Sequence, residues 1–164
     1  MMAKRSEIHG PRDVRLARLL KRRVDSVVDV ETVARRAHWE VQGPNHIALH
    51  GLFDQISANM DAHVAELAGV IKELGGEVSS EFGLRAHAPA PVPVPVPFSE
   101  ETSSGHGRVD ELAHRLAELR RKLHRSQAKM ARLGNAHAST VCSGLMHDVD
   151  KYCQVLKTLL RPMH

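Results

Sequence analysis

Aromatic side chains are nearly missing from this 164-residue chain, where one Trp, one Tyr and three Phe make up 3%. So few rings, with an apolar content that is mostly Ala, Leu and Val, suit helix-on-helix packing better than a sandwich. Long hydrophobic runs are missing as well. No stretch approaches the ~20 apolar residues of a bilayer span. The basic start Met1-Met2-Ala3-Lys4-Arg5 has no apolar segment behind it, so it does not read as a secretory signal. Cytoplasmic residence, with no membrane partner, is the expectation. Cysteine is limited to Cys142 and Cys153. On one helix they would stand about 16 Å apart at ~1.5 Å per residue, too far to bridge, and they read as small buried side chains.

What remains is long amphipathic helices and one low-complexity stretch. A chain of this length builds one domain with a full core, here residues 1–164 with a basic N-terminal tail over 1–10. Pro11 and Asp13 open a first periodic segment, with Leu16, Leu20, Val24, Val27, Val28, Ala34, His38 and Val41 on one face, ending near Gly43-Pro44. Asn45 reads as the N-cap of a second helix, striped by Leu49, Phe53, Ile56, Met60, Val64, Leu67, Ile71 and Leu74. Gly75-Gly76 supplies its left-handed stop. The third helix is expected from about Arg108 to Leu133. The fourth is expected from near Ser139 to before Pro162, with Leu145, Val149, Tyr152, Leu156 and Leu159 inward.

Between the second and third helices, over 77–107, helical periodicity fails. Ala88-Pro89-Ala90-Pro91-Val92-Pro93-Val94-Pro95-Val96-Pro97 lacks amide donors at every second position and should run extended. At ~3.1 Å per residue, ten such residues reach about 30 Å, enough to travel the length of a bundle. The expected fold is all-α, a four-helix bundle with one long Pro-rich crossover that lets helices two and three run parallel.

The chemistry-bearing residues sit in the first half. His50 and Asp54 stand four apart, so a helix puts them on one face. His38 lies across the Gly43-Pro44 break, where a chain reversal brings it alongside. Two imidazoles and a carboxylate suit a transition metal: iron, or zinc, copper or nickel where imidazole dominates. The alternative for these three is hydrogen bonding across a contact with no ion. His63 and Glu66 are candidates for substitute ligands. Trp39 reads as an interface or core aromatic. Lys and Arg number 23 against 19 Asp and Glu, a net charge of +4, and attract polyanions. Lys4, Arg5, Arg12 and Arg15, continued by Arg18, Lys21, Arg22 and Arg23, form a candidate DNA-facing patch. Arg120-Arg121-Lys122 with Arg125 and Lys129 is a similar group on the third helix.

His38-Trp39-x-Val41-x-Gly43-x-Asn45-x-Ile47-Ala48-x-His50-x-x-x-Asp54, closed by Leu74-Gly75-Gly76, resembles the signature of the Dps miniferritins of the ferritin-like superfamily. Asp148-Val149-Asp150-Lys151 looks like that family's last-helix segment. The resemblance implies a ferritin-like subunit that assembles into a hollow dodecameric homo-oligomer and binds and oxidises iron at sites shared between two subunits. It also implies DNA as a frequent partner, bound through basic tails. It assigns His38, His50 and Asp54 to one subunit's half of that site. The neighbour's two carboxylates correspond to Ala65 and Gly69 here, so the second half of the site is missing. The family's acidic run before the last helix corresponds to Asn135-Ala136-His137-Ala138-Ser139-Thr140, which thins the negative ring of an iron entry pore.

The resulting expectation is a miniferritin cage that binds or stores iron and protects DNA or the cell under oxidative stress, with weakened or absent ferroxidase activity. No catalytic residue is assured. The alternative is a non-enzymatic, nucleoid-associated scaffold that keeps the cage and its basic surface but has lost iron oxidation.

Overall fold

The computed structural model describes residues 9–41, 46–78 and 105–161. Among them four α-helices succeed one another: α1 (Pro11–Glu40), α2 (Ile47–Glu73), α3 (Gly105–Leu133) and α4 (Ala136–Leu160). Pro11 occupies the first turn of α1, where its missing amide is harmless and its fixed φ is already helical. At the far end of α2 the chain closes in a Schellman motif. The Gly76 amide donates to the Ile71 carbonyl at 2.9 Å and the Gly75 amide to Lys72 at 3.0 Å. This requires Gly75 at φ +79, and Gly134 ends α3 at φ +65.

Cross-links fix the helix directions. His38 meets His50 and Glu31 meets Ser57, so α1 and α2 are antiparallel. Glu40 pairs with Arg108, and Asp29 with Arg115 at 3.2 Å, so α1 and α3 are antiparallel too. His63 meets Asp148 and Glu73 meets His137, which sets α4 antiparallel to α2. Hence α2 and α3 run parallel. Gly105, at the start of α3, packs against His46 and Leu49 at the start of α2, while Gly76 lies against Ala17 at the opposite end. The intervening chain must travel the length of α2, about 40 Å at ~1.5 Å per residue. The proline stretch of this connection lies outside the described residues.

The core is one continuous aliphatic cluster drawn from all four helices, including Leu20, Val27, Ile56, Met60, Leu67, Leu116, Leu123, Leu145 and Val149. Phe53 and Tyr152 are the large rings inside it. Most residues of the apolar stripes fall in this core, and the departures are local. Helix α2 begins after His46, which makes no side-chain cap, and Asn45 lies outside the described residues. Helix α3 starts three residues earlier than expected. Helix α4 starts at Ala136 because Asn135 accepts from the Ala138 amide at 2.9 Å, a true N-cap one residue after Gly134. Leu159 is exposed rather than inward, and its neighbour Leu160 is the last-turn side chain that packs, partly buried, against the core.

Both cysteines lie on α4 and are free. Burial pushes the Cys142 thiol up to about 11, so at neutral pH it is an inert space-filler.

Candidate metal-binding site

Helices α1 and α2 are antiparallel neighbours, so the last turn of one lies beside the first turns of the other. There the His38 Nδ1 contacts the main-chain carbonyl of His50 at 3.0 Å. A carbonyl can only accept, so Nδ1 carries the proton and donates. The other ring nitrogen, Nε2, is left with its lone pair free to bind an electrophile, the arrangement that orients a metal-binding imidazole. The His50 ring stands edge-on to His38, with centroids 5.1 Å apart. Both imidazoles are half-buried, and Asp54, one turn further along α2, is exposed.

The reversal between α1 and α2 therefore brings His38 to His50, and the helix repeat places Asp54 on the same face. Trp39 is 52% exposed and touches the His38 ring edge-to-face at 5.8 Å. It is a surface aromatic of the subunit and not part of its core. Ala65 and Gly69 are exposed on α2, and a Cβ added at Gly69 would meet nothing within 4 Å. Among the described residues, no three His, Cys, Asp or Glu side chains gather into a group able to hold a metal ion. The chain by itself thus offers donors without a closed ligand set among its described residues.

His63 and Glu66 are not brought together. His63 is buried between α2 and α4, where its Nε2 contacts Asp148 Oδ2 at 2.6 Å. Glu66 stands in solvent. A second buried polar contact joins Glu31 of α1 to Ser57 of α2 at 3.2 Å, with Arg35 paired to the same carboxylate. Burial raises the Glu31 pKa, opposed by the Arg35 charge and the Ser57 hydroxyl and reinforced by the Asp61 charge. Glu31 and Ser57 sit at positions the sequence marks only as polar, and no periodicity signal separates them from solvent-facing neighbours. Arg12 and Arg15 are exposed on α1, while Lys4 and Arg5 lie outside the described residues.

No helix among the described residues is long and apolar enough to cross a membrane. No family model matches the sequence. The chain is 25% identical over 140 residues to the DNA protection during starvation protein of Agrobacterium fabrum, a match covering 81% of this chain and 80% of that protein. Among solved structures it superposes on Dps from Staphylococcus aureus with a TM-score of 0.73 and 22% identity, covering 90% of this chain and 96% of the other. A ferritin-like, diiron-carboxylate protein of Bacillus anthracis gives a TM-score of 0.71 at 15% identity, covering 93% and 99%. The fold is that of the ferritin-like four-helix bundles, and the resemblance to the Dps miniferritins carried by the His38–Gly76 signature is borne out in sequence and in structure.

Proposed function

We propose that the chain is the subunit of a Dps-like miniferritin cage that binds iron and shields DNA, with ferroxidase activity weak or absent. The observation that carries this is the His38–His50 pair, in which one imidazole is locked with its Nε2 lone pair free and Asp54 shares the same α2 face. Two imidazoles and one carboxylate are borderline donors that suit a divalent ion such as Fe(II), or Zn(II). Asp54 is exposed and both imidazoles are half-buried, which supports completion of the set by ligands from a second copy.

That copy presents Ala65 and Gly69 where the resemblance expects carboxylates. A methyl group and a hydrogen bring neither the negative charge nor the hard oxygens that hold Fe(III) or a second iron. Iron enters this chemistry as substrate and cargo. His38 and His50 would bind it through nitrogen and Asp54 through oxygen, and no carboxylate beyond Asp54 balances the charge gained on oxidation.

Two measurements test the reading. Sedimentation of the purified protein should give a closed homo-oligomer of about twelve subunits, and a monomer removes the cage. Aerobic Fe(II) oxidation should run slowly and fall to the buffer rate in Asp54→Ala. A wild-type rate equal to buffer leaves the non-enzymatic scaffold, which the missing carboxylates also favour.

A further inference from the structure

The two basic groups of the sequence, on α1 and on α3, belong to one surface. Helices α1 and α3 are antiparallel. The cavity between them is lined by Asp25, Ser26 and Asp29 of one and Glu118, Leu119 and Lys122 of the other. Beyond that point the first half of α1 runs beside the second half of α3. Residues 11–23 hold six cations, Arg12, Arg15, Arg18, Lys21, Arg22 and Arg23, against the single acid Asp13. Residues 119–133 hold six more, Arg120, Arg121, Lys122, Arg125, Lys129 and Arg132, and no acid.

Charge is therefore segregated along the helix pair. The other halves, 24–41 and 105–118, carry seven acids against four Arg. Each acidic-half Arg but Arg36 has a carboxylate partner, through the pairs Arg35–Glu31, Arg108–Glu40 and Arg115–Asp29. Among the described residues at the basic end, only Arg120 and Lys122 are paired, with Asp150 and Glu118. Arg121, Arg125, Lys129 and Arg132 are exposed and without an ion-pair partner among the described residues. Their spacing of four, four and three residues puts them within about 80° of one helix face. Arg23 adds a guanidinium whose Nε and Nη1 are buried without a hydrogen-bond partner. Its pKa is lowered by burial and by the Arg22 charge, as expected where like charges accumulate.

We propose that this two-helix basic face, rather than the N-terminal tail, is the surface that grips duplex DNA by its phosphates. The inference rests on the DNA-shielding reading above and assigns its location. Successive α3 cations rise about 6 Å per four residues, close to two phosphate steps of ~3.4 Å along one strand. The cations sit on two long, rigid helices and form a straight track, which matches a stiff rod better than a flexible strand. No exposed aromatic lies at this end among the described residues, and Trp39 is at the other. Single strands are held by stacking on aromatic platforms, so this surface lacks what they need. Contacts limited to phosphates carry no sequence preference and weaken steeply with salt.

The test is fluorescence anisotropy of the full-length protein with a random-sequence 30-base-pair duplex and the matching single strand, over a range of salt. The variants are R121A/R125A/K129A, R15A/R18A/R22A and K4A/R5A. All the helix positions are solvent-exposed, and circular dichroism with sedimentation confirms that fold and assembly are kept. Wild type should prefer the duplex. Each helix triple should lose at least tenfold in affinity, with the log–log salt slope shallower by about 2.7 for three lost contacts. K4A/R5A should stay within about twofold. Helix triples that bind like wild type while K4A/R5A loses affinity overturn this surface and leave DNA shielding intact. Preference for the single strand overturns the duplex assignment. Absence of wild-type binding at low salt removes the DNA-shielding reading itself.

Discussion

His63 of α2 and Asp148 of α4 meet at 2.6 Å, with the imidazole 7% exposed and its Nδ1 buried without a hydrogen-bond partner. A carboxylate accepts, so Nε2 donates and the ring is held in one orientation. The contact ties together two helices that otherwise meet through aliphatic side chains, the Asn59–Tyr152 hydrogen bond and the Glu73–His137 pair near their far ends. It occupies a His that the sequence nominates as a spare metal ligand.

Asp148→Ala should cost about 1–3 kcal/mol, because it strands a second ring nitrogen in the interior. Replacing both partners, as His63→Leu with Asp148→Leu, should cost less than the sum of the two single changes. Urea unfolding of the four proteins measures the cycle. Strict additivity would mean that the two groups do not act as a pair.

Carboxylates can be introduced at the two positions where the proposed half-site has none. Gly69 has open space around its Cβ and Ala65 is exposed, so A65D/G69E should fold as wild type. Removing a mid-helix Gly even favours α2, by up to about 1 kcal/mol. In the assembled protein the double variant should oxidise Fe(II) at least tenfold faster than wild type. The gain should vanish when Asp54→Ala is added. An unchanged rate in a correctly assembled variant would show that the lost acids are not what limits the site.

Glu31 makes stability depend on pH in a defined direction. Its native pKa is raised above the ordinary glutamate value, chiefly by burial, so the folded state holds its proton more tightly than the unfolded chain. The stability this contributes is full below the unfolded value and is lost as pH rises through the raised native value. Glu31→Gln keeps an acceptor for the Ser57 hydroxyl and removes the titration. The variant should be at least as stable as wild type at pH 7, with a flatter profile above pH 4.5. Thermal melts from pH 4 to 7 read this out. A clear drop in Tm at pH 7 would mean that the Arg35 pairing outweighs the burial of charge.

Gly75→Ala should destabilise by about 1–2 kcal/mol, the strain of an L side chain in the left-handed region. The residue sits at φ +79, and an added Cβ would come within 2.2 Å of the His9 ring, forcing it away from Asp13. Equal stability of the two proteins in chemical denaturation would show that the α2 stop does not depend on glycine.

The sequence by itself determined the helices and their ends. A 3.6-residue period, proline at a start and glycine at a stop act through local sterics and backbone hydrogen bonds, so α1, α2, α3 and α4 could be placed to within a few residues. It also determined which residues carry donors, and that Ala65 and Gly69 cannot. Local signals were misread at Asn135, a cap one residue from the Gly134 stop, at the start of α3, three residues earlier than expected, and at Leu159, which is exposed. Burial of polar groups and the meeting of distant charges were decided by tertiary structure alone. His63 reads as one of twelve scattered His until α4 brings Asp148 across to it. Glu31 looks like a solvated acid until α2 covers it. The two basic groups lie about a hundred residues apart in the chain and become one surface because α1 and α3 pack antiparallel. Periodicity reports which way a side chain faces from its own helix, whereas what stands opposite it is set by the packing of another.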